Sequence, residues 1–514
     1  MTLDPLAAHA QTWPDKAAVI EGDDVSSFAA FNAEINRLAN GLRAIGLRPG
    51  ERAVWCGPNS REVLTFVHAA RKIGLVSVPL AYRFTAEEMA YVIDNSDAAL
   101  VIVDAEEAGK IAEVRDGLAD VREVVVFRDE GRVAPGFRRW DDVVALGSDA
   151  EPELEQTGFG ATMIYTSGTT GKPKGALRTA SDPTLILALI QELRLQPGNE
   201  VHVTTGPLYH SGPLAWASLT HTLGGTVVVM RKFDPELWVD LVTKHKVTNT
   251  FSAPTQLKRI VALPPGSLAR LDLSSMRSLV ANAAPVPYAL KQEIYEKLGD
   301  WFLFEVYGST ELGVDTVMRP EDQLRKPGSC GRPYGGIEIL ILGDDGKPAP
   351  MGEPGEMYIR TPLAMDGYHR TEEQLHEVGV EGGGWKSVGD IARVDDEGFV
   401  SICDRAKDMI ISGGVNIYPA EIEAVLHEHP DVMDAAVFGI PDEEWGEKVH
   451  AVVQPRAGHA IDMADIEAFA SQRLAGYKRP RSWELRDELP RTESGKLLKR
   501  VLRDEHWVGR ESKV

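Results

Sequence analysis

One loop of this chain has the residue types that hold a polyphosphate. From Tyr165 to Gly175 it contains three glycines, two lysines and the four hydroxyl side chains Thr166, Ser167, Thr169 and Thr170. Glycines let backbone N–H groups converge on an anion, hydroxyls donate hydrogen bonds, and lysines supply positive charge. We therefore expect a phosphate-binding loop, although solvated surface loops have a similar composition.

The spacing separates this loop from two common nucleotide-binding motifs. Only Thr169 and Thr170 lie between Gly168 and Gly171, whereas a Walker loop has about four residues between its glycines. A G-x-G-x-x-G pattern that opens a helix is also absent from the loop. Residues 160–165 and 176–178 have strand-like patterns, so we predict that the loop connects two strands.

Four other segments place reactive side chains close together. Residues 307–311 combine an aromatic ring, a glycine, two hydroxyls and the carboxylate of Glu311. Asp390 follows a glycine, residues 404–408 contain two acidic and two basic side chains, and residues 490–496 end on Lys496. Each segment alone is compatible with a structural role: Glu311 with capping a helix that starts at Leu312, and Lys496 with a solvated lysine.

Together and in this order, the segments resemble those of the acyl- and aryl-CoA synthetases of the adenylate-forming superfamily. The resemblance extends from about Trp13 to about Arg503. It implies an ATP-dependent acid–CoA ligase. In the first step a carboxylate attacks the α-phosphate of ATP and pyrophosphate leaves. In the second step the thiol of coenzyme A attacks the acyl-adenylate and AMP leaves.

The resemblance also implies roles for individual residues. Lys496 resembles the lysine that bridges carboxylate and α-phosphate, and Glu311, with Thr166, resembles the site of Mg²⁺. Tyr307 resembles the aromatic that stacks on adenine, and Asp390 with Arg405 the pair that contacts ribose. The implied nucleotide contacts are Thr166, Ser167, Gly168, Thr169, Thr170, Gly171, Lys172, Lys174, Ala283, Tyr307, Gly308, Thr310, Asp390, Arg405, Asn416 and Lys496.

The acid and coenzyme A have implied sites of their own. The acyl pocket involves His210, Trp216, Asn282, Val306 and Gly313, and the coenzyme A site Gly413, Gly414, Lys448 and Lys478. Val306 and Asn282 stand where related enzymes with roomy pockets often carry glycine. No charged residue in these stretches suits a substrate amine, so we expect an apolar carboxylic acid: fatty, cyclic or aromatic.

Two alternatives remain open. One is an acyl-AMP ligase that loads a carrier protein, and the other is a nucleotide-binding regulator without turnover. The chain has no carrier-domain signature, which favours free coenzyme A, and a pure binding protein has no need of Lys496.

Composition limits the class of protein. The net charge of −22 disfavours a nucleic-acid partner. The three cysteines are far apart and match no disulfide framework or metal spacing. We see neither a signal peptide nor an apolar run long enough to span a membrane, so we expect a cytoplasmic enzyme and leave a homodimer open.

The elements that position these residues predict an α/β fold. Helical and strand patterns alternate through the first 320 residues, which indicates layered α/β subdomains with mostly parallel sheets. Shorter strands with turn signals between 335 and 400 indicate a β-rich subdomain. We expect a large N-terminal domain over 1–403, a hinge over 404–408 that includes Lys407, and a small mobile C-terminal α+β domain over 409–514.

Overall fold

A computed structural model of the chain describes residues 4–153, 161–166, 173–179, 182–343, 345–372, 374–380, 382–405, 408–413, 415–456, 458–459, 461–491 and 497–507. These residues form four β-sheets with helices packed against them. The predicted α/β class is confirmed. No helix in the described part of the chain has the length and apolarity needed to cross a bilayer.

The first 150 residues alternate strands and helices, as their apolar spacing predicts. The strands are β1 (Ala17–Glu21), β2 (Asp24–Ser27), β3 (Arg52–Cys56), β4 (Val76–Leu80), β5 (Ala98–Asp104), β6 (Glu123–Phe127) and β7 (Arg138–Arg139). The helices are α1 (Pro5–Thr12), α2 (Phe28–Ala44), α3 (Arg61–Lys72), α4 (Ala86–Asn95), α5 (Ala108–Val114) and α6 (Trp140–Leu146). Thr85 and Glu88 form a capping box that starts α4.

The alternation continues in the second part of the chain. Its strands are β8 (Thr162–Thr166), β9 (Lys174–Arg178), β10 (Val201–Thr204), β11 (Thr226–Val229), β12 (Asn249–Ser252), β13 (Ser278–Ala281), β14 (Leu303–Ser309) and β15 (Gly313–Met318). Its helices are α7 (Pro183–Glu192), α8 (Ser211–Thr222), α9 (Pro235–His245), α10 (Pro254–Val261), α11 (Pro265–Leu268) and α12 (Tyr288–Lys297). Proline at the first turn and an aspartate cap begin both α7 and α9.

Strands dominate the last third of the chain. They are β16 (Arg332–Pro333), β17 (Glu338–Leu342), β18 (Gly355–Arg360), β19 (Gly367–Tyr368), β20 (His376–Val378), β21 (Trp385–Ser387), β22 (Asp390–Val394), β23 (Val400–Arg405), β24 (Ile410–Ser412), β25 (Val415–Ile417), β26 (Val432–Asp442), β27 (Gly446–Pro455) and β28 (Ser482–Leu485). The helices are α13 (Pro419–His427), α14 (Met463–Arg473) and α15 (Lys499–Asp504).

Two large sheets form the body of the N-terminal region. One has the order β19-β9-β8-β4-β3-β5-β6-β7, and the other the order β16-β15-β14-β13-β12-β10-β11-β1-β2. The central strands of both sheets pair in parallel, whereas β8–β9 and β14–β15 are antiparallel pairs. Parallel strands buried on both faces explain the continuous apolar runs in the sequence.

The two smaller sheets follow in sequence. Strands β17, β18 and β20 to β23 form an antiparallel sheet, in agreement with the predicted β-rich subdomain. Strands β24 to β28 form the last sheet, whose two faces bury different side chains. Val449, Ala451 and Val453 pack toward α13 and α14, while Val452 packs toward α15. This alternation is that of a strand covered by helices on both faces.

Candidate functional site

A cavity of about 2820 Å³ lies where the four sheets meet. One wall is a single face of the β8–β9 hairpin. Three cross-strand pairs line it: Thr166 opposite Lys174, Ile164 opposite Ala176, and Thr162 opposite Arg178. Because side chains alternate along a strand, the residues between them point the other way; the Tyr165 hydroxyl donates to Asn95 Oδ1 at 2.7 Å. The strand–loop–strand arrangement predicted for residues 160–178 is therefore present in its described parts.

Glu311 accepts hydrogen bonds from two hydroxyl groups at the loop end of this hairpin. The Thr166 hydroxyl donates to Glu311 Oε1 at 3.2 Å, and the Tyr368 hydroxyl donates to the same oxygen at 3.0 Å. The alternative that Glu311 caps a helix is wrong, because the chain continues into strand β15 at Gly313. All three side chains offer oxygen atoms, which are the donors that a hard divalent cation such as Mg²⁺ prefers.

Several predicted residues lie outside the described part of the chain. They are Ser167, Gly168, Thr169, Thr170, Gly171, Lys172, Lys407, Gly414 and Lys496. Lys174 is described, and its ammonium group lies 5.8 Å from the ring centroid of Tyr368. Arg491 and Leu497 flank the segment that holds Lys496, form a β-bridge with each other, and both line the cavity.

Asp390 is the centre of a second polar group. Its carboxylate is buried, accepts a short hydrogen bond from the Tyr307 hydroxyl, and lies 3.4 Å from the Arg405 Nε. Asp390 and Arg405 are direct partners in the antiparallel pair β22–β23. Burial and the nearby Asp390 charge raise the pKa of Tyr307 well above its usual value, so the phenol stays a donor.

The turn between β14 and β15 connects the two polar groups. The Thr310 hydroxyl lies 3.3 Å from the Ser211 hydroxyl, and the Thr310 carbonyl accepts from Arg178 Nη2 at 2.6 Å. Gly308 has no room for a side chain, because a Cβ there would lie 2.0 Å from the Gly313 carbonyl oxygen. The tight turn therefore presents Thr310 and Glu311 to the cavity.

The predicted acyl-pocket residues also line the cavity, with His210 and Trp216 at the start and middle of α8. The Trp216 ring lies 4.7 Å from that of Phe251, measured between centroids. Burial lowers the pKa of His210 to about 4, so the imidazole is neutral near pH 7. Within the described residues its Nε2 is buried without a hydrogen-bond partner.

The loop after β13 supplies two predicted residues, Asn282 and Ala283. Asn282 Nδ2 donates to the Val306 carbonyl at 2.6 Å, so the side-chain amide has a hydrogen-bond partner. Ala283 has φ of +76°, a left-handed conformation that costs a non-glycine residue of order 1 kcal/mol. Such strain is common where a backbone approaches a ligand, and Ala283 lines the cavity.

Of the described residues predicted for coenzyme A, only Lys478 lines the cavity. Asn416, predicted to contact the nucleotide, and Lys478 line the cavity, and Lys478 Nζ donates to both carboxylate oxygens of Glu421, at 2.6 and 2.7 Å. Gly413 instead packs against Trp445, and Lys448 lies 3.6 Å from Asp442 Oδ2; neither residue lines the cavity. The roles of these four residues stay predictions.

Sequence reasoning missed three polar residues of the site. Tyr368 on β19 lies beside Ala176 and reaches Glu311, but no local pattern marks it. Asp315 is fully buried on β15 behind the turn. Arg178 carried a signal, because it lies four residues after Lys174 and so on the same face of β9.

Comparisons with known proteins agree with the fold. The AMP-binding enzyme family matches residues 6–369, and the AMP-binding enzyme C-terminal domain matches residues 421–496. A feruloyl-CoA synthase of Amycolatopsis sp is 37% identical over 96% of this chain and 97% of the relative. An indoleacetate–CoA ligase of Aromatoleum aromaticum is 34% identical over 96% and 95%.

Solved structures of related enzymes are similar to this chain over nearly its whole length. ATP-bound MatB from Rhodopseudomonas palustris superposes with a TM-score of 0.86 at 28% identity, over 98% of this chain and 99% of that one. The anthranilate CoA ligase AuaEII, in complex with anthranoyl-AMP, gives a TM-score of 0.87 at 26% identity, over 98% and 96%.

A large α/β region followed by a small α+β unit is the architecture of the adenylate-forming enzymes that this chain resembles in structure. The chain belongs to the AMP-binding enzyme family. The resemblance to acyl- and aryl-CoA synthetases is confirmed, and the chain is an acid–thiol ligase of the AMP-forming class.

Proposed function

We propose that this enzyme activates an apolar carboxylic acid with ATP and Mg²⁺ and transfers the acyl group to coenzyme A. The observation that carries the proposal is the hydrogen bond from Thr166 to Glu311. It joins the β8–β9 hairpin, which precedes and follows the predicted phosphate-binding loop, to the predicted metal-binding carboxylate. Asp390 and Arg405 line the same cavity. A bound Mg²⁺ would neutralise charge on the phosphate oxygens of ATP, held by Glu311 with the help of Thr166.

In the first half-reaction a carboxylate oxygen bonds to the α-phosphorus, and the bond from that phosphorus to the pyrophosphate oxygen breaks. Charge accumulates on phosphoryl oxygens, so catalysis depends on positioned donors and cations. We assign pyrophosphate to the loop after Thr166 and the α-phosphate to Thr310 and Lys496. Asp390 and Arg405 would hold the ribose, and the Tyr307 ring the adenine.

In the second half-reaction the coenzyme A sulfur bonds to the acyl carbon, its proton leaves to solvent, and AMP departs. We propose that residues 409–514 rotate about a hinge at 404–408 between the two steps. That rotation would withdraw Lys496 and bring the loop at Gly413 toward the cavity. It gives a reason why Gly413 and Lys448 lie away from the cavity while Arg491 and Leu497 line it.

The proposed substrate class follows from the part of the cavity wall that α8, β12 and β14 contribute. Trp216 and Phe251 contribute aromatic surface, Val306 is almost fully buried, and the neutral His210 carries no charge toward a ligand. An aliphatic or aromatic acid suits such a lining. Location in the cytoplasm and a homodimer stay predictions.

One relative supports a second candidate function. A fatty acid–[acyl-carrier-protein] ligase, ScoC of Streptomyces coeruleorubidus, is 34% identical over 98% of this chain and 96% of its own length. Loading of a carrier protein from the same acyl-adenylate is therefore the alternative second step.

The test is pyrophosphate release over a panel of carboxylic acids, with and without coenzyme A, followed by detection of the thioester. We expect acid-dependent pyrophosphate and a thioester that requires coenzyme A. Pyrophosphate without thioester would favour carrier-protein loading. No pyrophosphate with any acid, from protein that binds ATP, would overturn the proposed function.

A further inference from the structure

Arg178 is a cation in the cavity wall that the phosphate site does not account for. It lies on the same face of β9 as Lys174 but four residues further along. At about 3.3 Å per residue this separates the two Cα atoms by about 13 Å. The guanidinium instead reaches the β14–β15 turn, where it donates to the Thr310 carbonyl.

Apolar side chains share the cavity with Arg178, while the carboxyl groups of Asp315, Glu311 and Asp366 act on its charge. Side chains of α7, α8 and the loop before β19 line the same cavity; they are Ile186, Leu189, Trp216, Leu219 and Leu363. Burial lowers the pKa of Arg178, although an arginine stays charged at neutral pH. A cation in an apolar wall is costly unless a polar partner compensates it.

The carboxyl group of Asp315 is one such partner. Asp315 is fully buried, and both of its oxygens lack a hydrogen-bond partner among the described residues. Burial raises the pKa of Asp315 well above its usual value, and the nearby Arg178 charge opposes that rise. Within the described residues the guanidinium donates from Nη2 to the Thr310 carbonyl. Arg178 and Asp315 are thus close enough to interact electrostatically. Among the described residues, however, Asp315 accepts no hydrogen bond from the guanidinium.

Gly313 opens the way from the cavity to this guanidinium. A Cβ built on Gly313 would lie 3.2 Å from Leu363 Cβ and 3.6 Å from Arg178 Nη1. The absence of a side chain therefore leaves space beside Gly313 that is bordered by Leu363 and by Nη1 of Arg178. Gly313 has φ of +94°, which also disfavours any other residue there.

We propose that Arg178, supported by Asp315, is a polar subsite that binds an oxygen acceptor at the distal end of the acid substrate. This inference rests on the proposed function and narrows its substrate class. A guanidinium offers only donors, so the group that it recognises must accept: a carbonyl, a phenolic or ether oxygen, or a second carboxylate. The rest of the acid would contact the apolar side chains around Trp216.

The experiment compares matched pairs of acids that differ only in one distal oxygen, for example an aryl or cyclic acid with and without an oxo group. For the wild-type enzyme we expect kcat/KM of pyrophosphate release to favour the oxygen-bearing acid by at least ~10-fold, because a site built around a hydrogen bond rejects the analogue that lacks it. Arg178→Met should reduce this ratio at least ~10-fold, mainly through KM.

Arg319→Met is the matched control, since Arg319 follows β15 and pairs with Glu192 on the surface. It should leave the ratio unchanged. If Arg178→Met lowers both acids equally, Arg178 only positions Thr310 and the proposal is overturned. A wild-type ratio near one overturns it as well, and pyrophosphate release then still supports the proposed function.

A binding measurement covers the case in which Arg178→Met does not fold. Calorimetric titration of each acid pair into wild-type enzyme saturated with a non-hydrolysable ATP analogue gives the same ratio as a ratio of Kd values. At least ~10-fold tighter binding of the oxygen-bearing acid supports the subsite, and equal Kd values contradict it.

Discussion

The hydroxyl of Thr166 donates a hydrogen bond to the carboxylate of Glu311 at 3.2 Å, although the two residues are 145 positions apart in the chain. Thr166 ends strand β8 of one large sheet, and Glu311 lies in the turn after β14 of the other. This bond therefore marks where the two sheets meet. The first prediction concerns the negative charge of the Glu311 carboxylate in the cavity.

Glu311→Gln keeps the shape and the carbonyl acceptor of the side chain but removes its negative charge. We expect the Mg²⁺ concentration for half-maximal pyrophosphate release to rise at least ~10-fold, because the carboxylate is the charged oxygen donor. Glu321→Gln, on an exposed surface pair with Arg194, is the control. An unchanged Mg²⁺ requirement would place the cation elsewhere.

Asp390→Asn should weaken ATP binding by ~10- to 100-fold, the scale for losing a hydrogen bond to a charged group. If Asp390 holds the ribose, the variant should also lose its discrimination between ATP and a deoxyribose analogue. Tyr307→Phe keeps the ring and removes only the donor to Asp390, so it should cost less than ~10-fold. Discrimination retained in Asp390→Asn would contradict the ribose assignment.

Lys496→Ala should slow pyrophosphate release by ~10² to 10³, the scale for removing one donor that stabilises transition-state charge. It should largely spare thioester formation from supplied acyl-adenylate, because that step does not need the lysine. Single-turnover assays of each half-reaction measure both effects. Lys347→Ala, at an exposed turn, is the control. Equal loss in both half-reactions would refute alternation between two domain positions.

Buried histidines predict how stability depends on pH. Burial lowers the pKa values of His202 and His221 to about 4, whereas an unfolded histidine has its usual value near 6.5. Between these values the unfolded chain binds more protons, so the free energy of unfolding falls as pH drops from 6.5 toward 4. Each such group contributes a slope of about 1.4 kcal/mol per pH unit.

Denaturant unfolding across this pH range tests the expectation. His221→Gln should reduce the slope, since the amide does not titrate. His376→Gln is the control, because the His376 ring is largely exposed in the folded chain. A slope in His221→Gln equal to that of the wild type would show that this ring does not cause it.

The three cysteines should differ in reactivity. Burial raises the pKa of Cys330 to about 12 and also raises those of Cys56 and Cys403. Because the thiolate is the reactive form, we expect a thiol reagent at pH 8 to label the half-buried Cys403 first and the other two only after unfolding. Mass spectrometry of labelled peptides, with Cys403→Ser as control, measures this. Rapid labelling of Cys56 or Cys330 in native protein would contradict it.

Several elements of the fold and site could be predicted from local sequence. The strands at 162–166 and 174–178 and the short strands between 335 and 400 depend on residue alternation and turn residues within each segment. The hydroxyl- and glycine-rich loop was predicted from its own residues, whereas the roles of Glu311 and Asp390 were implied by the resemblance to a known family.

Other features depend on how distant segments pack. Tyr368 reaches Glu311 only because β19 pairs with β9, and Asp315 lies near Arg178 only because the two large sheets meet behind the β14–β15 turn. Gly413 and Lys448 lie away from the cavity because of where the last sheet sits. The amino-acid sequence by itself therefore determined the chemistry of the site and its local elements. The tertiary structure decided which side chains share the cavity, because burial and charge pairing arise between residues that are far apart in the chain.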